Sequence, residues 1–175
     1  MAQRVQPVRD GLVVGLIAYV AVAVFYSVFD LLAARGTLFT VNLLGRSVFR
    51  GLRDPMVLQY SVQLDTTAIF LYNALHLVAA IVIGLIVMSL VAHAERHPQR
   101  AVRVLLVIVA GFVATILAVG WLSGPIRPVL PWWSIVVANS LAVLLAAVYV
   151  LRVRGEGLSR LLPMRGMSGG QVRGA

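Results

Sequence analysis

Four stretches of the chain lack charged residues for long enough to cross a lipid bilayer, which takes about 20 apolar residues. The first is interrupted by Asp30, after which the apolar character continues. Lipid leaves free backbone N–H and C=O groups unsatisfied, and the runs are continuously apolar, so each is expected to form an α-helix. The predicted spans cover residues 11–34, 67–92, 104–123 and 131–151.

These spans predict an all-α fold, a four-helix transmembrane bundle over residues 1–151. The connections after the second and third spans are short, which predicts that the second, third and fourth spans pack in sequence as antiparallel neighbours. Residues 152–175 mix Arg with Gly, Ser and Met, so we expect a disordered cytoplasmic tail there.

The composition supports a membrane protein. Of the 175 residues, 61% are hydrophobic and 12% are charged, whereas a soluble domain carries about 25% charged residues. The chain has no cysteine, which excludes disulfides, iron–sulfur clusters and thiolate zinc sites. Every basic residue is Arg, so a lysine Schiff base and a P-loop lysine are excluded as well.

The arginines predict the orientation of the bundle. If both termini are cytoplasmic, 10 Arg lie in cytoplasmic segments and 5 in outer ones, which is the bias that positive residues impose on topology. The net charge of +9 is therefore explained by topology rather than by nucleic-acid binding, and no nucleic-acid partner is expected.

The first outer loop, residues 35–65, carries a helical pattern of its own. One side of the predicted helix is apolar, with Val41, Leu44, Val48 and Leu52. The other side carries Arg46, Arg50 and Arg53, and Leu43 breaks the pattern. The pattern predicts a short amphipathic helix lying in the outer interface. The alternative is an irregular loop packed over the mouth of the bundle, because Gly45 and Gly51 weaken a helix.

Small residues recur four positions apart in the predicted spans. In lipid, helices associate through close approach at such residues rather than through the hydrophobic effect. We therefore expect every span to offer a packing seam, at the following residues: Gly11 and Gly15, Ala23 and Ser27, Ala80 and Gly84, the run Ala110, Ala114 and Ala118, and Ala142 and Ala146.

Polar residues at membrane depth form the candidate site. Counting inward from the outer helix ends places Asp30, Asn73, His76 and Asn139 roughly 6, 9, 14 and 12 Å deep, so they are predicted to converge on one polar cluster. In one interpretation Asp30 pairs with His76 and the amides shape a pocket for a polar ligand or a proton. In the other, Asp30 caps a helix or snorkels to the interface, and the remaining residues form interhelical hydrogen bonds.

No cofactor or metal is predicted. Bis-histidine haem ligation through His76 needs a second His at matching depth on another helix, which one chain does not supply. His93 and His97 lie four apart, as metal-binding His often do, but without a third ligand nearby they are better explained as a helix cap. The sequence also lacks the common motifs for nucleophilic and phosphate chemistry, so no catalytic activity is expected.

Several short motifs resemble a group of uncharacterised bacterial four-span membrane proteins. They are Gly-Leu-Ile-Ala-Tyr at 15–19, Phe-Asp-Leu-Leu at 29–32, residues 40–45, Leu-His-Leu at 75–77, Ala-Glu-Arg-His-Pro at 94–98 and Pro-Trp-Trp at 131–133. The resemblance covers about residues 11–151. It implies a bacterial inner-membrane location and no known activity.

Three functions are therefore considered. The first is a non-catalytic accessory or structural subunit of a membrane complex, or a self-associating bundle, with a membrane protein or a second copy as partner. The second is a small transporter or ligand-binding channel that uses Asp30 and His76. The third is a subunit of a redox complex that shares haem or quinone with another chain.

Overall fold

The computed structural model of the chain describes residues 6–52 and 63–158. The described residues form five α-helices and no strand, and four of the helices are long and apolar enough to span a membrane. The helices are α1 (Pro7–Leu32), α2 (Phe39–Phe49), α3 (Thr66–Arg96), α4 (Ala101–Leu122) and α5 (Trp132–Leu158). The predicted all-α transmembrane bundle is confirmed, and the chain is a multi-pass membrane protein.

The helix ends differ from the predicted span limits. Pro98 follows α3 directly and ends it, because proline removes a backbone donor and clashes with the preceding turn. The last helix continues past Leu151 to Leu158, so the predicted disorder is wrong for residues 152–158. The rest of the predicted tail, residues 159–175, lies outside the described residues.

Helix α1 is the centre of the bundle and packs along α3 on one side and α5 on another. The contact with α3 brings backbone against backbone, at Gly11 and Gly15 on α1 and Gly84 on α3. A Cβ atom added to Gly15 would lie 2.6 Å from Cα of Ile81 and 2.7 Å from the carbonyl O of Ala80. The small-residue seam predicted for these two helices is confirmed.

Helix α4 lies at the edge of the bundle. It contacts both α3 and α5, as the short connections predict, but it buries only Val104, Ile116 and Gly120. Helices α3 and α5 thus pack more closely on α1 than on α4, because a short connection fixes two helices only at one end.

Helix α2 covers one end of the bundle, which we call the α2 end. The opposite end, where α1 begins and α5 finishes, is the termini end. The predicted short helix is present, and its buried side agrees only in part with the predicted apolar side. Leu44 is buried as that pattern predicts, but Val48 is 43% exposed, and Leu43, which broke the pattern, is 1% exposed. Leu43 and Leu44 pack with Ile126 and Leu130 of the α4–α5 connection, so this contact helps to fix α2 on the bundle.

Gly45 places α2 directly on α3. A Cβ atom on Gly45 would collide with the backbone of Ala68, so the glycine that weakens an isolated helix is required for this close contact. The buried side of α2 is therefore mixed in polarity and includes Thr40, Asn42 and Ser47.

Candidate functional site

A crevice of about 100 Å³ lies between α1, α2 and α3. Its lining is mainly apolar and includes Ser27, Thr40 and Tyr72. Three of the four predicted site residues, Asp30, Asn73 and His76, also line it, and Asn139 does not.

Asp30 joins α1 to the start of α2. Its carboxylate is 1% exposed and accepts two hydrogen bonds from Thr40. The backbone N–H of Thr40 donates to Oδ2 at an N–O distance of 2.6 Å, and Oγ1 donates to Oδ1 at 2.6 Å. An anion at this position satisfies a free N–H of the first turn of α2 and lies at the positive end of its dipole. Asp30 therefore caps α2 from a neighbouring helix.

Asp30 and His76 do not meet, and the reason is the register of α1 against α3. Gly15 contacts Ile81 and the two helices are antiparallel, so Asp30 lies level with the first turn of α3. His76 is about ten residues further along α3, which is roughly 15 Å at 1.5 Å per residue. The predicted pairing of Asp30 with His76 is wrong, although both side chains line the same crevice.

His76 lies among aromatic rings, about a third of the way along α3. The ring of Tyr19 on α1 is 5.5 Å away between centroids, and the ring of Tyr72 is stacked at 6.2 Å with an interplanar angle of 3°. Its Nε2 atom is buried and has no hydrogen-bond partner among the residues that the structure describes. A neutral imidazole has one donor and one acceptor nitrogen, so one of its two polar groups is left unsatisfied.

Asn73 forms a hydrogen bond between helices. Its Oδ1 accepts from Oη of Tyr19 at 3.1 Å, and its Nδ2 donates to the carbonyl O of Ile69 at 2.9 Å. This bond across α1 and α3 is the interhelical role considered for the amides.

Asn139 is separated from the other three residues. It lies on α5, and its Nδ2 donates to the carbonyl O of Ile135 in the same helix at 2.8 Å. Helices α3 and α5 both pack on α1, but at different sides of it, so matching depth does not bring their amides together. The prediction of a single cluster of four residues is therefore wrong for Asn139.

A buried ion cluster at the termini end was not predicted from the sequence. Arg154 of α5 donates from Nη2 to Oδ2 of Asp10 at 2.7 Å and from Nη1 to Oε2 of Glu95 at 3.0 Å. The three side chains are 7%, 12% and 15% exposed, and they come from α5, α1 and α3. The signal was present, because all three residues lie near predicted span ends on the same side of the membrane.

Asp65 connects α2 to the start of α3. Its carboxylate accepts from Nε of Arg50 at 2.9 Å and from the backbone N–H of Ala68 at 2.9 Å. The Arg50 hydrogen bond, followed by the Ala68 bond, lowers the pKa of Asp65 below its usual value. The backbone N–H of Asp65 in turn donates to Oδ1 of Asn42, so three polar contacts hold this corner.

The remaining candidate, His93 with His97, forms a close ring pair with centroids 4.7 Å apart. Among residues 6–52 and 63–158, no group of three or more His, Asp or Glu side chains is placed to hold a metal ion. Glu95, which lies between the two His in sequence, is bound to Arg154.

The geometry thus places a small crevice between α1, α2 and α3, whose mainly apolar lining includes serine, threonine, asparagine and histidine side chains. Comparison of the chain with protein-family models, curated proteins and solved structures gives no match.

Proposed function

We propose that this chain is a non-catalytic membrane subunit that assembles with another membrane protein, or with a second copy of itself, through α4. The observation that carries the proposal is a small-residue stripe on α4, formed by Ala110, Ala114 and Ala118. All three residues are exposed, on a helix that the bundle itself hardly buries. Residues four apart share one helix face, so the three alanines form a continuous ridge.

The same chain shows what such a stripe does. On α1, Gly11 and Gly15 lie four apart and bring the backbone of α3 into direct contact. On α4 the equivalent stripe has no helix against it among residues 6–52 and 63–158, and a Cβ added to Gly111 would meet nothing within 4 Å. Small residues favour association in lipid because they allow close backbone approach. The α4 stripe is therefore a surface for a further transmembrane helix.

The test compares how much of the partner co-purifies from native membranes with the wild-type chain and with the Ala114→Leu variant. The larger side chain prevents close approach of the two helices and should abolish capture of the partner. Val113→Leu is the control, because Val113 is also exposed but lies beside the stripe, and capture of the partner should remain intact. Differently tagged copies of the chain distinguish self-association from a separate partner. If wild-type protein from native membranes is a lone monomer, the proposal is wrong.

We further infer that the bundle lies in the bacterial inner membrane with both termini in the cytoplasm. The Arg excess on the side of the termini supports this orientation, and the Asp10–Arg154 contact holds the two helix ends together. Because the chain has no cysteine, Ala2→Cys and Gly124→Cys give clean single labels. A membrane-impermeant maleimide applied to intact cells should label Gly124→Cys, and labelling of Ala2→Cys instead would reverse the orientation.

A further inference from the structure

The residues that line the crevice between α1, α2 and α3 are spread along the bundle axis. At the α2 end the lining includes Thr37 and Leu38, which are exposed. Further along it includes Ser27 and Asn73, and it reaches His76, about a third of the way along α3. Asp30 and His76, which both line it, are about 15 Å apart along the bundle axis, so the crevice runs deep into the predicted membrane-spanning region.

The crevice is closed beyond His76. One turn further along α3, the backbone of Ala80 meets Gly15 of α1, and after another turn Gly84 meets Gly11. These backbone contacts leave no room for even a methyl group, so no polar passage continues there toward the termini end. The crevice is thus a half-channel with an exposed mouth and a closed inner end.

The inner end holds a titratable side chain with an unsatisfied nitrogen. Nε2 of His76 is buried without a partner among the described residues, although buried polar atoms are normally hydrogen-bonded. A volume of about 100 Å³ has room for about three waters at roughly 30 Å³ each. These waters, together with the side chains of Ser27 and Tyr72 that line the crevice, would form a hydrogen-bonded series from the α2 end to the imidazole.

We propose that the crevice is a hydrated half-channel that carries protons between the α2 end and His76, which makes His76 a proton-binding site accessible from that side only. Its ligands are water and the proton. The titratable groups along the path are Tyr26 and Asp30 from α1 and Tyr72 from α3, and Tyr19 of α1 faces the His76 ring. Helix α2 lines the path with Thr40 and two apolar residues and contributes no titratable group. The proposal is independent of assembly through α4.

Single cysteines in this cysteine-free chain test the hydration. The protein is placed in nanodiscs, exposed to Ag⁺ in chloride-free nitrate buffer, unfolded, and labelled with a maleimide, so that thiols reached by the aqueous ion stay unlabelled. His76→Cys and Val22→Cys, both on the crevice lining, should be reached by Ag⁺. Leu75→Cys is adjacent in sequence but 50% exposed toward lipid, and it should stay fully labelled. If the two lining positions behave like Leu75→Cys, the crevice is dry and the proposal fails.

A second variant tests the direction of access. Ser27→Leu, added to either lining cysteine, fills the path between the mouth and His76 and should slow the Ag⁺ reaction to the rate of Leu75→Cys. Val28→Leu, the neighbouring position facing lipid, is the matched control and should change nothing. If Ser27→Leu also leaves the reaction unchanged, water reaches His76 by another path and the half-channel is wrong.

The proton itself is followed on the native imidazole. The chain has three His, so His93→Gln with His97→Gln leaves His76 alone for ¹⁵N NMR. Its ring ¹⁵N shifts should change reversibly with pH, and Ser27→Leu should slow the exchange of the ring N–H proton with solvent water. Ring shifts that stay constant over the whole pH range in which the protein is folded would show that no proton reaches His76.

Discussion

The carboxylate of Asp30 accepts both the backbone N–H and the hydroxyl of Thr40, with donor–acceptor distances of 2.6 Å for each bond. This pair joins α1, the central helix of the bundle, to the first turn of α2. These hydrogen bonds hold α2 against the bundle. Asp30, the acidic residue predicted inside the membrane, therefore has a structural role.

Asp30→Asn should loosen α2. The amide keeps one acceptor but loses the negative charge, and hydrogen bonds to charged groups contribute about 1.5–3 kcal/mol. We expect a loss of about 2 kcal/mol in the free energy of unfolding and faster hydrogen exchange confined to the first turn of α2. Thr37→Val is the control, because Thr37 is exposed in the connection between α1 and α2. It should leave the free energy of unfolding unchanged. Unchanged exchange in α2 would contradict the capping role.

Gly15→Ala should separate α1 from α3. The added methyl would lie 2.6 Å from Cα of Ile81, and backbone does not move aside as a flexible side chain does. Overpacking of this kind costs about 1–3 kcal/mol, which unfolding in mixed micelles monitored by circular dichroism would detect. Gly111→Ala is the matched control, because its methyl would enter open space and alanine favours a helix. Equal stability of the two variants would refute the close crossing.

Arg154→Ala should be among the most destabilising single changes in the protein. It leaves Asp10 and Glu95 side by side and without their cation, and breaking a buried ion pair in this way costs about 3–5 kcal/mol. Arg152→Ala removes an exposed arginine from the same helix and should change the free energy of unfolding by less than about 0.5 kcal/mol. A melting temperature that falls equally in both variants would assign the effect to net charge.

The contact between Arg50 and Asp65 should make stability depend on acid pH. Because the folded pKa of Asp65 is lowered, its contribution is present above the unfolded value of about 3.9 and is lost as the pH falls through the lower folded value. Other carboxylates titrate in the same range, so the measurement is the difference in melting temperature between wild type and Asp65→Asn. That difference should shrink below about pH 4, and a difference independent of pH would contradict the prediction.

The four spans were predictable because the length of an uncharged stretch can be read from the local sequence alone. The α1–α3 seam was also predictable, since Gly11 with Gly15 and Ala80 with Gly84 form a pattern that is visible in each span separately. Both features follow from the bilayer as a solvent, which leaves close packing of small residues as the main means of helix association.

The candidate site was predicted less well because it depends on the axial register between helices. Depths counted from each helix end assume that all spans begin at one plane, whereas the glycine contacts fix α1 and α3 with Asp30 level with the first turn of α3. Asp30 and His76 are therefore much further apart than end-counting indicates. The prediction for Asn139 was wrong because the depth of a residue does not reveal on which side of α1 its helix packs.

The side of α2 that is buried was predictable from hydrophobicity only in part, because Leu44 of the predicted apolar side is buried but Val48 is not. A helix that packs on other protein segments buries whatever side fits, and here Gly45 and Leu43 determine that side through Ala68 and Ile126. The hydrophobic pattern alone favoured Val48, which the structure leaves exposed.

The ion cluster at the termini end also orders the biogenesis of the protein. Asp10 and Arg154 are 144 positions apart, so the carboxylate enters the membrane surface long before its guanidinium partner has been synthesised. Until α5 leaves the ribosome, Asp10 and Glu95 repel each other, and α1 lacks one of its two long neighbours. The bundle therefore closes only after α5 has been synthesised, and a chain that stalls earlier presents an acidic helix pair without its cation, which membrane quality control could distinguish from the closed bundle.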